Sequence, residues 1–458
     1  MGKEEINSIL EEQLKFFRSG KTLDINFRLG ILKKFRTLII YHEKEIADAL
    51  WKDFHKPEFE VIATETGFVL KELNLAIKKL KKWARPKKVR TPFVHFPARS
   101  YITHQPYGQV LVLSPWNYPF QLVFLPMLGA ITAGNCVIVK ASGKVPNITS
   151  VMQKIIGNFP AGLVAMVNGD HSISEHLLSY KFDYIFFTGS TRIGKYVMQK
   201  ASENLIPVSL ELGGKNPCVV TSDAKLGFAA KRIVWGKFIN AGQTCICADY
   251  LLVDKKVKDR LLDLISAGLK EFYGENPEKS RDFARIINEE NLLRLVALTK
   301  TGHIVAGGNS DTETLYLEPT VIKDITPGDL IMQEEIFGPV LPVIEFENLS
   351  EVYNIIERNP KPLAVYIFTR SKKLAREFLA RTSSGTAAVN DTVMQIASPF
   401  LPYGGVGYSG MGRYHGRRSF ETFSNTRSVL VKSNLIDLIL RYPPYTKFSK
   451  KIIRWLMN

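Results

Sequence analysis

The sequence predicts an α/β protein of two units, each a mostly parallel sheet covered by helices on both faces. Short apolar runs, such as those at 110–113 and 184–187, lack polar alternation, as strands buried on both sides do. Stretches with helical spacing alternate with these runs. At 458 residues the chain is also too long for one growing core, so more than one domain is expected.

The chain opens with helices. Ile6, Ile9, Leu10, Leu14 and Phe17 recur at helical spacing, and 27–54 repeats the pattern through Leu29, Leu32, Phe35, Ile39, Ile46 and Leu50. A third helix is predicted over 58–83, stopped near Pro86. Four prolines between Arg85 and Gly108 then mark an exposed connector or arm, with a short extended stretch at 101–104. Strand runs follow at 110–113, 136–139, 164–167 and 184–187, with an apolar helix at 122–133. A second unit is read from about Glu211, with strands at 218–220, 250–253, 340–346 and 364–368 and helices at 224–238 and 256–272. The segment 402–416 is dense in glycine, which marks a functional or tightly turned loop.

An apolar fraction of 45% with 23% charged residues excludes a disordered chain. No long charge-free apolar run reads as a membrane span, and the N-terminus lacks a secretory apolar stretch. Four cysteines are too few for a disulfide scaffold in a chain this long, so a reducing, cytoplasmic setting is expected. The net charge of +17 suits anionic partners of several kinds, although Lys-rich helices facing solvent explain it as simply. No nucleic-acid motif accompanies the charge, so nucleic acid is not expected as a partner.

Taken singly, the chemical candidates are modest. Cys245 ends Gly242-Gln243-Thr244-Cys245, a glycine-bearing turn that can expose a thiol and let backbone N–H groups favour the thiolate. A buried structural role is the commoner one for an isolated cysteine. Cys247 completes a Cys-x-Cys with no further ligands at metal spacing, so no metal is expected. Glu211, in Glu211-Leu212-Gly213-Gly214-Lys215, can serve as a general base if burial raises its pKa, or contribute only local electrostatics. Thr188-Gly189-Ser190-Thr191-Arg192-Ile193-Gly194 follows a strand and opens a helix whose N–H groups can hold a pyrophosphate, without the G-x-G-x-x-G spacing. Asn117, in Pro115-Trp116-Asn117-Tyr118-Pro119, can donate to an oxyanion or simply form a turn. Tyr118, Trp235 and the loop from Asn390 are candidate walls of an apolar substrate pocket.

Together these residues resemble the aldehyde dehydrogenase superfamily, from about residue 10 to residue 430. Pro-Trp-Asn at 115–117, Phe-Thr-Gly-Ser at 187–190, Glu-Leu-Gly-Gly-Lys at 211–215, Gly-Gln-Thr-Cys at 242–245 and Glu-Glu-Ile-Phe-Gly-Pro-Val at 334–340 are family motifs. Any one could arise by chance; five in order at family spacing leave little room for another fold. The short N-terminus and the ending Tyr442-Pro443-Pro444-Tyr445 look most like the class 3, fatty-aldehyde-type branch.

The resemblance implies two Rossmann-like α/β domains plus a small β oligomerisation arm. Residues 1–85 and 107–210 would bind nucleotide, 211–402 would be catalytic, and 86–106 with 417–432 would form a bridging sheet in a homodimer. The Gly-rich loop 403–416 and a tail, 433–458, complete the chain. It further implies NAD(P)-dependent oxidation of an aldehyde, medium or long aliphatic or aromatic, to its acid. Cys245 would be the nucleophile, Asn117 an oxyanion donor and Glu211 the activator of water. Lys140 would hold the adenine-side ribose, Gly189, Ser190 and Gly194 the pyrophosphate turn, and Glu335 and Phe337 the nicotinamide side. The alternatives are a CoA-acylating or phosphorylating dehydrogenase on the same fold and a basic, non-enzymatic scaffold.

Two departures are informative. Where the branch usually continues Lys-Pro-Ser-Glu, this chain reads Lys140-Ala141-Ser142-Gly143-Lys144. A 2′-phosphate would then meet no like charge, so NADP is expected to be accepted alongside NAD. In the tail, Leu435, Ile436, Leu438, Ile439 and Leu440 precede a helix predicted from about Phe448. That helix would place Ile452, Trp455 and Leu456 opposite Lys447, Lys451 and Arg454, a pattern suited to an anionic lipid surface or to a partner subunit.

Overall fold

The computed structural model describes residues 2–437 and 439–457, without the side chain of Leu440; the expectation for Leu438 lies outside these. Two parallel sheets organise the chain. The first runs Gly410–Met411, Val208–Glu211, Tyr184–Thr188, Gln109–Leu113, Cys136–Lys140, Val164–Met166 across its width, and only its Gly410–Met411 edge is antiparallel. The second has seven strands, with Tyr250–Asp254, Pro217–Val220 and Ala364–Phe368 at its centre and His303–Ala306 as an antiparallel edge. Glu211 is the last residue of a first-sheet strand, paired with Thr188 and Gly410, and the second sheet opens at Pro217.

The central strands are apolar and buried except at an end residue such as Gln109, Thr188 or Asp254, so each sheet needs helices on both faces. Pro119–Ala133, buried along its whole length, covers the first sheet, and Leu226–Phe238 lies beside Lys258–Tyr273 over the second. No helix of the described residues is long and apolar enough to cross a membrane.

The N-terminal pattern resolves into more pieces than its periodicity predicts. The stretch 27–54 divides into Ile25–Tyr41 and Glu43–Phe54 at His42, whose Nδ1 bonds Glu45 at 2.8 Å. The helix over 58–83 contains a π turn, Ile62–Thr66, between Glu58–Val61 and Gly67–Trp83. The arm strand is longer than the 101–104 expected. It spans Ala98–Pro106 and pairs along its whole length with Ser424–Lys432, with Lys87–Val89 on its other side.

The π turn carries a buried ion pair. Lys56 Nζ donates to Glu65 Oε1 at 2.7 Å, both side chains fully buried, and lies 3.8 Å from the Tyr118 ring centroid. The second Glu65 oxygen accepts the Gln121 N–H at 2.8 Å, in the first turn of Pro119–Ala133. The pair therefore fixes the helix that follows the Asn117 turn. Removing one partner of such a pair leaves the other charge uncompensated. Lys56→Met should lower the unfolding free energy by about 3–5 kcal/mol in urea titrations, and a loss below about 1 kcal/mol would contradict this role.

Candidate active site

Cys245 is held by a loop that few sequences can form. The turn before it, Ile239–Gly242, carries Asn240 at φ 55°, Ala241 at φ 52° and Gly242 at φ 71°, three left-handed residues in succession. At Gly242 a side chain would overlap the Gly338 carbonyl, so glycine is required there. Polar contacts offset the strain. Glu60 accepts the Asn240 N–H at 2.9 Å, and Asn240 Nδ2 donates to the carbonyls of Asn117 at 3.0 Å and Gln243 at 3.2 Å. Asn117 Nδ2 also donates to the Gln243 carbonyl at 3.0 Å, and Asn216 Nδ2 to that of Cys245 at 2.7 Å. Asn117 is thus buried against the Cys245 loop, with one of its two amide hydrogens committed.

Cys245 and Glu211 line one cavity of about 290 Å³. Its wall is mostly apolar and aromatic, with Phe59, Phe68, Tyr118, Leu122, Trp235, Tyr403 and Tyr414 around the two polar groups. Phe59 and Met394 are exposed while Glu211 is only 4% so, and the cavity leads from the surface to the carboxyl. Neither Glu211 oxygen has a hydrogen-bond partner among the described residues. Burial raises its pKa well above the carboxylate range, and Arg413 opposes this.

Cys245 sits deeper than an exposed loop. It is half-buried, and desolvation pushes its thiol up to about 12, with a hydrogen bond from Tyr403 acting the other way and the Glu335 and Glu211 carboxyls adding to the rise. The expected thiolate stabilisation by backbone N–H groups is therefore outweighed by burial in an apolar chamber.

A second cavity, about 450 Å³, opens at the carboxyl ends of the first-sheet strands, where open α/β sheets take their ligands. Lys140, Ser142, Gly143 and Lys144 line it, and a side chain at Gly143 would meet open space. The helix Thr191–Ser202 starts at its rim, its N-terminus capped by Ser190 Oγ accepting from Ile193 N at 3.4 Å. A Cβ at Gly189 would lie 2.6 Å from the Phe187 ring, and one at Gly194 2.6 Å from Leu212, so both glycines let the backbone come close. Towards Cys245, the Glu335 carboxyl abuts Gly213 and accepts the Gly214 N–H, while burial, with Asp249 adding, pushes it up to about 8. Phe337, at φ 51°, meets Trp116 edge-on at 5.6 Å. Helix N-terminus, close glycines and cations fit a dinucleotide.

Two expectations are corrected here. This cavity does contain carboxylates: Asp170, at the start of the helix His171–Leu178, faces Lys140, and Glu175 within that helix lines the cavity too, neither of them revealed by the motif at 140–144. Asn390 does not line the cavity that holds Cys245 and Glu211. Its amide is spent on the Thr369 backbone, accepting from N and donating to O, each at 2.9 Å. The loop after it does reach the cavity, through Val393, Met394, Ile396 and Ala397. Thr244, whose Oγ1 bonds Tyr118 Oη at 2.6 Å, Tyr403 and Tyr414 were not singled out by the sequence; the last two lie in the Gly-dense segment that was.

Comparison with known proteins agrees with this geometry. The family model described as "Aldehyde dehydrogenase family" matches residues 1–429. The chain is similar to the 4,4'-diaponeurosporen-aldehyde dehydrogenase of Staphylococcus aureus, at 45% identity over 97% of each chain. It is also similar to the dimeric NADP-preferring aldehyde dehydrogenase of Canis lupus familiaris, at 42% identity over 96% of this chain and 98% of that one. A solved structure, the substrate-bound state of Staphylococcus aureus AldH, superposes with a TM-score of 0.97 at 44% identity, covering 99% of each chain.

Proposed function

The chain belongs to the aldehyde dehydrogenase family, close to its family 3 members, and oxidises aldehydes with NAD(P); on that premise we propose that Cys245 is the nucleophile and Glu211 the base that activates water. The observation that carries this reading is their meeting in one apolar cavity, the carboxyl poised by burial to take a proton. Cys245 Sγ, its proton released to solvent through the cavity mouth, attacks the aldehyde carbon. The free amide hydrogen of Asn117 and the Cys245 N–H hold the resulting oxyanion, a donor of this kind being worth ~3 kcal/mol. NAD(P), held by the residues named below, would supply the hydride acceptor that oxidation of the adduct to a thioester requires. Glu211 then draws a proton from water, which releases the acid and restores the thiol. A carboxyl able to activate water argues against a CoA-acylating or phosphorylating reaction.

Lys140, Gly189, Ser190 and Gly194 would hold the adenosine and pyrophosphate, and Glu335 and Phe337 the nicotinamide end. The aromatic wall formed with Tyr118 and Trp235 suits a medium or long aliphatic, or an aromatic, aldehyde. Residues 1–85 and 107–210 serve as the nucleotide domain and 211–402 as the catalytic one. The arm sheet bridges a homodimer, a reading supported by the canine relative, which is dimeric by name.

The chain works in the cytoplasm, with its tail at an anionic membrane surface. The helix Lys447–Met457 leaves Phe448, Trp455 and Met457 exposed, Trp455 at 74%, on a segment whose only charges are basic. The exposed Phe93, Phe96 and Ile439 extend the apolar surface of this part of the chain.

Cys245→Ser should abolish aldehyde oxidation while cofactor binding, read by fluorescence, stays within about twofold; activity above a few per cent would sink the assignment. Despite Asp170 and Glu175, the space at Gly143 and the nearby Lys140 and Lys144 should let NADP serve alongside NAD, with Gly143→Glu shifting the ratio toward NAD. A wild-type kcat/KM preference for NAD above about a hundredfold, or ~2.7 kcal/mol, would refute this. Full-length protein should co-sediment with anionic liposomes, less so as salt rises, and a form truncated after Tyr445 should not. Equal behaviour of the two forms would leave the tail to dimer packing.

A further inference from the structure

We propose that the Tyr403 hydroxyl is a catalytic hydrogen-bond donor to the Cys245 sulfur, stabilising the thiolate through which the enzyme attacks. The proposal rests on Cys245 being the nucleophile. Tyr403 Oη lies 3.5 Å from Cys245 Sγ, and Tyr403 is 4% exposed. The ring has little freedom to leave. It stacks on His415 at 5.2 Å and 17°, meets Tyr414 edge-on at 5.7 Å, and its backbone exchanges hydrogen bonds with that of Tyr414 at 3.0 and 2.8 Å. A hydroxyl held this way donates without reorganising when charge develops, which is where a hydrogen bond is worth most.

The surroundings of the sulfur give the donor its importance. The Glu211 and Glu335 carboxyls, the Cys247 thiol and the phenols of Tyr118 and Tyr414 are the titratable groups facing it. The two carboxyls and Cys247 disfavour a thiolate, as does burial, and the Tyr403 hydrogen bond opposes them. Burial also keeps the Tyr403 phenol well above its ordinary range, so it remains a donor at any pH where the enzyme works. On ionisation the S–H bond breaks, the proton leaves to solvent through the cavity mouth, the electron pair stays on sulfur, and the Tyr403 O–H remains intact and directed at it. When sulfur becomes bonded to the substrate carbon, that charge moves to the carbonyl oxygen and the Tyr403 bond weakens. Tyr403 therefore favours the ionised enzyme before attack and not the thioester after it.

The test is the pH dependence of Cys245 alkylation by iodoacetamide, read at the Cys245 peptide by mass spectrometry to separate it from Cys247. Tyr403→Phe removes one oxygen and keeps the ring stack. It should raise the midpoint by about one pH unit and lower kcat/KM about tenfold at neutral pH, with recovery at higher pH. The melting temperature and cofactor binding should hold, because the ring stack is kept, whereas a packing role alone would not move the midpoint. Replacing Tyr403 with 3-fluorotyrosine keeps the shape, makes the phenol a stronger donor, and should move the midpoint down. Midpoints that coincide within about 0.2 unit for the wild type and the fluorinated form would overturn the proposal, even if Tyr403→Phe failed to fold. Aldehyde oxidation retained by Cys245→Ser would instead overturn the reading of the nucleophile, whatever the profiles do.

Discussion

Glu211 brings a carboxyl into an apolar cavity where neither oxygen finds a partner among the described residues, and Cys245 brings a thiol into the same space. Water would normally solvate both groups. Removing it disfavours each charged form, so both groups hold their protons more tightly than they would in water. Much of the surrounding structure serves to keep that space dry. The aromatic set Tyr403, Tyr414 and His415 closes one side, with His415 driven by burial down to about 3 and hence neutral. Phe59, Phe68 and Trp235 contribute further apolar wall.

A reactive group in such a cavity has to be positioned by the backbone, since few polar side chains remain to hold it. The left-handed run Asn240, Ala241, Gly242 does this at a cost of about 1–3 kcal/mol for each of its two non-glycine residues. Glu60, itself pushed up to about 7 by burial, holds the Asn240 N–H, and Asn117 and Asn240 converge on the Gln243 carbonyl. The Lys56–Glu65 pair fixes the neighbouring helix through Gln121. Three segments distant in sequence thereby set the direction of one side chain. Of these groups only Asn117 also has a part in the proposed chemistry; the others aim the sulfur.

The sequence made this arrangement legible wherever function and local backbone demand coincide. Glu211, Cys245 and Gly189 sit at strand ends or tight turns, where glycine and short polar residues leave a local trace. The buried strands were legible because runs such as 184–187 show no polar alternation. Other features depend on distant partners and leave no such trace. The π turn at Ile62–Thr66 keeps a helical periodicity, and the full arm strand Ala98–Pro106 is extended by its pairing with Ser424–Lys432 rather than by its own composition. Asp170 and Glu175 enter the cavity at Lys140 from a helix some thirty residues further on, beyond the reach of a local motif. Asn390 reads as a loop residue near the pocket, yet its left-handed backbone and its bonds to Thr369 turn it away. Tyr403 was visible only as one residue of a glycine-dense segment until the fold carried it to the sulfur.

The central claim is that Cys245 carries the acyl group and Glu211 releases it. If so, Glu211→Gln keeps the cavity's shape but lacks the base that activates water. Intact and peptide mass spectrometry of this variant, mixed with an aldehyde and NAD(P) and quenched in acid, tests both halves together. The account predicts an acyl adduct on the Cys245 peptide, accumulating toward one per chain with one equivalent of reduced cofactor formed. An unmodified Cys245 in a variant that still oxidises aldehyde, or an adduct on any other residue, would contradict it.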